Sequence, residues 1–446
     1  MSTAEWIDTS MKGVTWTRTC KEKRVQRGPL TQDETADLVV VGGGFCGLTT
    51  AITAARAGLR VTVLEGGIVG VGASGRTGGY TVPNHPHGLT PGDVEERLGP
   101  RKGHAFNALV AEGPNRVAEL VREYGIRSDY LQNGWTLPAH SSISLAKVRT
   151  AYDQWKAFGA PVQWLDREQI AAETGASGYI AGWKNPVGAV VNPFAHSQGL
   201  ARAAEQEGAR IYEDTRVTAI DQPAPGQVVI TARANGVSRR VQAGKVLIAT
   251  NAYTDDLVPK LSKSIITLYL YTCATRPLSP EILKTVVPNK NCFTDLRDAT
   301  GFARLDVEGR LIAGGAVFVS AINPRNYGLK YSRDKVLMLF PQLRGHDITF
   351  QDYWEGYNCI TEAYLPHIQR LKPDVFSLLG CSTRGVSLMQ NLGLLMGEFF
   401  GGRRNLDDVP VELVDGVRTI RMQGFKTAVG RNIFPIFQLK DRLRLT

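Results

Sequence analysis

Gly42, Gly44 and Gly47, with Phe45 and Cys46 between them and the acidic Glu65 further on, are the residues whose types and spacing first suggest chemistry. That chemistry is the holding of a dinucleotide. Gly42 permits a tight turn, Gly44 lets backbone approach a pyrophosphate, and Gly47 lets a helix pack closely on a strand. The helix that follows would offer its unpaired N–H groups and positive partial charge to the phosphates. Glu65, about twenty residues on, would hydrogen-bond the adenosine ribose and repel the extra phosphate of NADP. Three spaced glycines are a weak signal by themselves. Their flanks make them strong: a β-branched run, Leu38 to Val41, precedes them, an alanine-rich helix from Leu48 to Ala57 ends at Gly58, and a second apolar strand runs from Arg60 to Glu65. The unit reads as β-turn-α-β, and both FAD and NAD remain open on these residues alone.

The elements that must position this loop belong to a chain of 446 residues, beyond the size at which a single core keeps growing, so two connected domains are expected. Apolar residues make up 43% and charged residues 21%, an ordinary soluble α/β composition. No stretch reaches the roughly 18 apolar residues of a membrane-spanning helix, and Met1 to Lys12 holds no signal-peptide core, so a cytoplasmic location is expected. The six cysteines never form a C-x-x-C pair and read as reduced thiols, with no metal site. The net charge of +10 is read as solubility. Its cluster Arg18, Lys21, Lys23, Arg24 and Arg27 lacks the aromatics or motifs of a nucleic-acid module, so no nucleic-acid function is expected.

Residues 1–36 read as an irregular polar leader across the surface, with order starting at Asp37. Residues 93–124 and 145–158 have helical spacing, separated by a turn-rich piece around Gly134-Trp135. A helix from Pro193 to Gly208, strands at 210–220 and 227–233, and the apolar strand Lys245 to Thr250 return the chain to the nucleotide unit. Residues 265–275, 301–305 and 310–318 alternate with a period of two, as strands of a mixed or antiparallel sheet do. A strand from Val375, the run Gly380 to Gly385, a helix to about Phe400 and a basic tail close the chain.

The stretch from Gly70 to Gly79 separates the two cofactors. It holds Gly72, Ala73, Ser74, Arg76, Thr77, Gly78 and Gly79 directly after the ribose-binding carboxylate. An NAD domain has no reason for a second loop of this kind, whereas an FAD domain must bring backbone against an isoalloxazine. The sequence here resembles the D-amino-acid oxidase and glycine oxidase family of flavoproteins, most closely its gamma-glutamylputrescine oxidase branch, with Thr77 where that branch usually has asparagine. The resemblance runs from about Ala36 to the last helix. Val217 matches the position whose backbone touches the adenine, and Thr250, Asn251 and Ala252 the strand end near the cofactor. Ala274-Thr275-Arg276-Pro277-Leu278 matches the family's A-T-x-P-L. The turn Gly380 to Gly385 stands where G-Y-S-G-H-G is usual, with Thr383 and Arg384 replacing glycine and histidine and Val386 following. In the family this turn and its helix cover the flavin pyrimidine and stabilise a reduced, anionic flavin.

The resemblance implies an α/β fold: a Rossmann-like FAD-binding domain of the glutathione-reductase type, interleaved with an α+β substrate domain containing a mixed antiparallel sheet. The expected division is 37–92, 190–258 and 370–446 for the FAD-binding domain, and 93–189 and 259–369 for the substrate domain. The implied reaction is hydride loss from the α-carbon of a neutral amine to flavin N5, followed by imine hydrolysis, with the redox chemistry belonging to FAD. Molecular oxygen or another acceptor then takes the electrons. Alternatives are a dehydrogenase serving a quinone or carrier, aided by the basic residues Arg403, Arg404, Arg442 and Arg444, and a non-catalytic flavoprotein subunit.

Two family clamps for a substrate α-carboxylate are missing. The segment Trp354-Glu355-Gly356-Tyr357-Asn358 has no arginine where a G-L-R-P-like segment is usual, and Ser387 stands where sarcosine oxidases have lysine. The expected small-molecule substrate is therefore an amine without a nearby α-carboxylate, or one held by an unexpected group such as Arg384. Tyr269 and Tyr271, on one face of a strand, and Tyr357 are candidate pocket walls, because aromatic faces attract a cation and apolar surroundings favour the neutral amine. Lys263 is the nearest counterpart of a lysine that assists oxygen, although a surface position is expected. His85 and His87, loop histidines without a visible partner, are set aside, and no Ser-His-Asp order or H-E-x-x-H signature occurs.

Overall fold

A computed structural model describes residues 10–317, 324–443 and 445–446. The start of the leader, residue 318 of an expected strand and Arg444 lie outside the described residues. The apolar run after the leader forms strand Glu34–Val41, whose Leu38, Val39 and Val40 are fully buried. Such a continuous apolar run is what a parallel strand covered on both faces requires. It lies between Val61–Leu64 and Val237–Ile248, parallel to both, and Arg210–Tyr212 and Val375–Leu379 extend the parallel set on either side. His367–Lys372 joins antiparallel to Val375–Leu379, with Glu412–Asp415 outside it, and Arg216–Ala224 and Gln227–Ala234 continue antiparallel from Val237–Ile248.

The register aligns Val41 with Leu64 on one side and with Ile248 on the other. Gly42, Glu65 and Ala249 therefore emerge together at the carboxyl ends of three strands. This is the place where chain order reverses, and the crevice there is where open α/β sheets bind ligands. Helix Phe45–Arg56 starts at that point and packs on helix Gln390–Phe400 from the far end of the sequence. The contact is close because Gly393 has no side chain: a Cβ there would lie 2.2 Å from Thr49 Oγ1 and 2.4 Å from the Cys46 carbonyl oxygen. The hydroxyls of Thr49 and Thr50 donate to the carbonyls of Gln390 and Gly393 at 2.8 and 3.0 Å.

A second sheet of eight strands runs in the order Phe350–Ile360, Ile266–Pro277, Arg310–Val317, Phe302–Leu305, Cys292–Thr294, Trp135–Ala139, Ala181–Asn185 and Gln163–Leu165. All neighbours are antiparallel except Cys292–Thr294 and Trp135–Ala139. The longest ladder sets Tyr269 directly opposite Tyr357.

Several sequence expectations change. The first strand begins at Glu34, three residues early. The leader is not merely a surface segment: Met11, Val14 and Trp16 are buried in a small core with Trp354, and the Trp16 indole donates to the Thr77 carbonyl at 2.9 Å. Its cations are largely spent on the chain itself, Arg18 on Asp352, Lys21 on Asp129 and Arg27 on Glu205. Residues 93–124 form three helices, Pro91–Leu98, Pro100–Ala111 and Gly113–Glu123, because prolines at 100 and 114 start new helices rather than continue old ones. The piece around Trp135 is a fully buried strand. Residues 210–220 form two strands, since buried Glu213 turns inward to accept the Val69 N–H. The basic tail folds into helices Gln423–Asn432 and Phe434–Arg442. Among the described residues, no helix is long and apolar enough to cross a membrane.

Candidate active site

A cavity of about 980 Å³ opens from the crevice at Gly42 and runs between the two sheets. At its inner end, Gly42 adopts φ +109°, and the backbone turns into helix Phe45–Arg56 with Gly44 at the N-cap. Gly47 is forced by close approach, since a Cβ there would meet the Gly42 carbonyl oxygen at 2.1 Å. The N-cap has no side-chain acceptor of its own, and the Ser74 hydroxyl reaches across to accept the Phe45 N–H at 3.0 Å. The other amides of this first turn lack intrahelical acceptors, the arrangement in which a helix start can take an anion.

Glu65 lies beside this turn, with Oε2 accepting the Gly43 N–H at 2.7 Å and Oε1 the Gly67 N–H at 2.9 Å. Burial raises its pKa, and the two amides oppose that shift. Each oxygen keeps a lone pair for a further donor. Val217 lines the same end, next to the Arg216–Asp255 ion pair at 2.6 Å. A narrow inner cleft with bare backbone, a helix start and a carboxylate at its end fits the adenosine and pyrophosphate of FAD.

Beyond it, the wall passes to the second glycine segment. Gly72, Ala73, Ser74, Thr77 and Gly78 line the cavity together with Arg76, whose Nε donates to the Val71 carbonyl at 2.7 Å and Nη1 to the Glu355 carbonyl at 3.1 Å. Gly79, at φ +76°, sits behind the wall against the Val191 carbonyl. Thr250 and Asn251 line the opposite side, while Ala252 is buried behind them. The Asn251 carboxamide oxygen accepts the N–H groups of Gly380 and Cys381 at 3.1 and 3.3 Å, so the strand end holds the turn that follows Val375–Leu379. Asn358 holds it from the second sheet, accepting the Thr383 N–H at 3.1 Å.

That turn keeps a glycine-like backbone without the glycine. Ser382 and Thr383 have φ of +44° and +70°, and a β-branched residue in that region is strained. Arg384, Gly385 and Val386 line the cavity after it. The Arg384 guanidinium is tied only to oxygens of neutral groups: Nε donates to the Asn84 carbonyl at 3.1 Å, Nη2 to the His85 carbonyl at 3.3 Å and Nη1 to Thr383 Oγ1 at 3.3 Å. Among the described residues no carboxylate pairs with it. Burial lowers its pKa to about 10, so it stays a cation at neutral pH.

The predicted tyrosines separate. Tyr357 lines the cavity, its ring edge-on to Tyr253 at 5.5 Å and to Tyr269 at 5.7 Å. Tyr271 reaches the wall but is almost fully buried, stacked on Tyr353 at 5.4 Å with its hydroxyl near Ser332. Tyr269 stands outside the lining, hydrogen-bonded to Glu355. The alternate face of its strand, Ile266, Leu268, Leu270 and Thr272, fronts the cavity instead. Lys263 is exposed and outside it. Burial raises the phenol pKa of Tyr253 and Tyr357, which stay neutral.

Three contributions escaped the sequence expectations, and a fourth, His85, is set aside there as a loop histidine without a partner. Tyr253, two residues past Asn251, accepts the Tyr357 N–H at 3.4 Å. His85 lies on the wall with Nε2 2.7 Å from Asn107 Oδ1 and Nδ1 without a partner. Burial, with the Arg384 charge adding to it, lowers the pKa of His85 to about 4, while His87 is exposed. Asp295 and Arg297 form a buried pair in the wall. The C-terminal helices supply Phe425, Val429, Ile433, Phe434 and Phe437, a contribution signalled only by apolar spacing in a segment read as a tail. Among the described residues no cluster of His, Cys, Asp or Glu is arranged to hold a metal.

The chain matches the family model described as DAO, FAD dependent oxidoreductase, over residues 37–399. It is 30% identical to the gamma-glutamylputrescine oxidoreductase of Escherichia coli (strain K12) over 93% of this chain and 95% of the relative. In fold it is similar to the crystal structure of glycine oxidase from Geobacillus kaustophilus, with a TM-score of 0.69 and 21% identity over 84% of this chain and 96% of the other. It is likewise similar to L-proline dehydrogenase from P. horikoshii, with a TM-score of 0.68 and 20% identity over 84% and 96%. With the match extending from the first strand through helix Gln390–Phe400, the chain belongs to the DAO family of FAD-dependent oxidoreductases.

Proposed function

We propose that the protein oxidises the C–N bond of an amine that carries no carboxylate on the reacting carbon, with any anionic group of the substrate held at a distance by Arg384. The observation that carries this reading is the Arg384 guanidinium, half-buried in the cavity wall and tied, among the described residues, only to neutral oxygens. A partly desolvated cation of this kind gains from an anionic partner more than a fully solvated one does. The absent arginine in 354–358 and Ser387 in place of lysine support a reacting carbon free of a carboxylate. The Escherichia coli relative, named for gamma-glutamylputrescine, supports an amine in that place.

FAD, when bound, would supply the hydride-accepting chemistry, and with molecular oxygen as final acceptor the reaction would yield hydrogen peroxide. The chain's own residues do the rest. The first-turn amides of Phe45–Arg56 bind the pyrophosphate, and Glu65 takes the ribose hydroxyls. Tyr357 and Tyr253 wall the amine and favour its neutral form by excluding water. Arg384 orients the substrate by its far end, converting binding into alignment of the reacting carbon. We assign residues 37–92, 190–258 and 370–446 to FAD binding and 93–189 and 259–369 to the substrate side. The protein acts in the cytoplasm, in keeping with six unpaired cysteines.

Anaerobic mixing of the holoprotein with a panel of amines, acylated amines and α-amino acids, followed through flavin bleaching, tests the reading. Amines carrying a remote carboxylate are expected to bleach the flavin fastest, and peroxide should appear on admitting air. Faster reduction by simple α-amino acids would reject the substrate assignment. Bleaching without peroxide under air would reject the oxidase assignment.

A further inference from the structure

Helices Gln423–Asn432 and Phe434–Arg442 carry an apolar stripe with no cover among the described residues. Phe425 and Val429 on the first helix, and Ile436, Leu439 and Leu443 on and just after the second, recur in steps of three or four and are exposed. Phe425 is 63% exposed and Ile436 57%. Seven of the fourteen large apolar side chains exposed among the described residues lie between 422 and 445, so the stripe is a concentration and not scatter. The two helices follow one another directly, separated by Ile433 alone.

The charges of the stretch 421–442 are predominantly basic. Arg421, Lys426, Arg431, Lys440 and Arg442 stand against Asp441 alone. Asp441 is already committed, accepting the N–H groups of Asp298 and Ala299 at 3.1 and 3.0 Å. Lys426 and Lys440 are paired with Glu362 and Asp298, while Arg421 and Arg442 are exposed. A second copy laid along this seam would bring the same cations against these, which disfavours self-association. An amphipathic helix with apolar and basic residues at its edge suits an anionic lipid surface, the apolar side chains entering the acyl boundary and the arginines meeting headgroups. The stripe is also continuous with the cavity: Phe425 and Val429 belong to both, with Gly430 and Ile433 behind them.

We propose that the helix pair 423–442 seats this protein on an anionic bilayer surface, with the mouth of the cavity turned toward the lipid. The test is flotation of the flavin-loaded full chain with vesicles of phosphatidylcholine alone or with about one third phosphatidylglycerol. The variant is Ile436→Ser combined with Leu439→Ser, two positions outside the cavity lining. At low salt the wild type is expected to bind the phosphatidylglycerol vesicles about tenfold more than the neutral ones, and the double variant to lose about tenfold of that binding. Flavin absorbance and melting temperature, expected to stay unchanged, establish that the variant is folded. Absence of wild-type binding to anionic vesicles overturns the proposal, as does equal binding by the folded double variant. Light scattering that finds a dimer dissociated by the double substitution, with no vesicle binding, overturns it in favour of a self-interface.

Discussion

The two ends of the cavity are built by opposite means. At the Gly42 end the wall is backbone: a positive-φ glycine, a helix start, and the Gly47 and Gly393 contacts that a single methyl group would break. At the Arg384 end the wall is side chains, brought by strand Phe350–Ile360, the turn after Val375–Leu379, the loop at Asn84-His85 and the C-terminal helices. The first end is intolerant and local, the second adjustable and assembled. A family can therefore keep one cofactor while changing substrates, because altering the second end leaves the first untouched.

The sharpest way to break this contrast is Gly47→Ala. Its Cβ would press on the Gly42 carbonyl at 2.1 Å, so the variant is expected to lose about 3 kcal/mol or more of stability and to purify without visible flavin absorbance. Full flavin content at an unchanged melting temperature would show that the inner end is as adjustable as the outer.

Acid comes next, and it tests which end opens first. Burial lowers the pKa of His85 at the outer end and of His196, beside Phe45 at the inner end, to about 4. The unfolded chain takes up these protons near pH 6.5. Because the folded values are the lower ones, the stability is complete above about 6.5 and is lost as pH falls toward about 4. Melting curves across that window should fall for the wild type. His85→Asn should flatten the loss of substrate-induced bleaching and His196→Asn the loss of flavin, and identical behaviour of the two would dissolve the distinction.

Arg384→Gln addresses the outer end alone. For an amine with a remote carboxylate, kcat/KM is expected to fall about 10- to 100-fold, in line with roughly 1.5–3 kcal/mol for a charged hydrogen bond. Uncharged amines and flavin content should change little. Equal losses for both substrate types would place Arg384 on the flavin and not on the substrate.

The smallest effect is expected from Thr383→Gly, which restores glycine at φ +70°. Relief of the left-handed backbone, offset by the greater freedom of the unfolded chain, should leave a gain of about 1 kcal/mol or less in denaturant melts. A loss would mean that the Thr383 hydroxyl contact with Arg384 outweighs the strain.

The same contrast explains what could be read in advance. The strand–turn–helix around Gly42 to Gly47 and its carboxylate Glu65 was legible because backbone geometry imposes glycine at fixed spacings over some twenty-five residues. The strands at 266–277, 302–305 and 310–317 were legible from their period of two. The tyrosine wall was not, because alternation identifies a strand's two faces without saying which one meets the cavity. The facing of Leu268 and Leu270 depends on helix Gln423–Asn432 lying against that strand, a contact across more than 150 residues. Trp16 likewise looked like leader until the fold laid it on Trp354, ring centroids 5.8 Å apart.

Sequence by itself determined the dinucleotide cradle, the second glycine segment and, through them, the flavin, because each rests on local backbone that particular residues permit. Tertiary structure alone decided that Arg384 is a half-buried cation with no carboxylate partner among the described residues, that Tyr357 and not Tyr269 walls the cavity, and that the basic tail is a pair of helices at its mouth. Burial and partnership are properties of what packs around a side chain, and they exist only once distant segments have met.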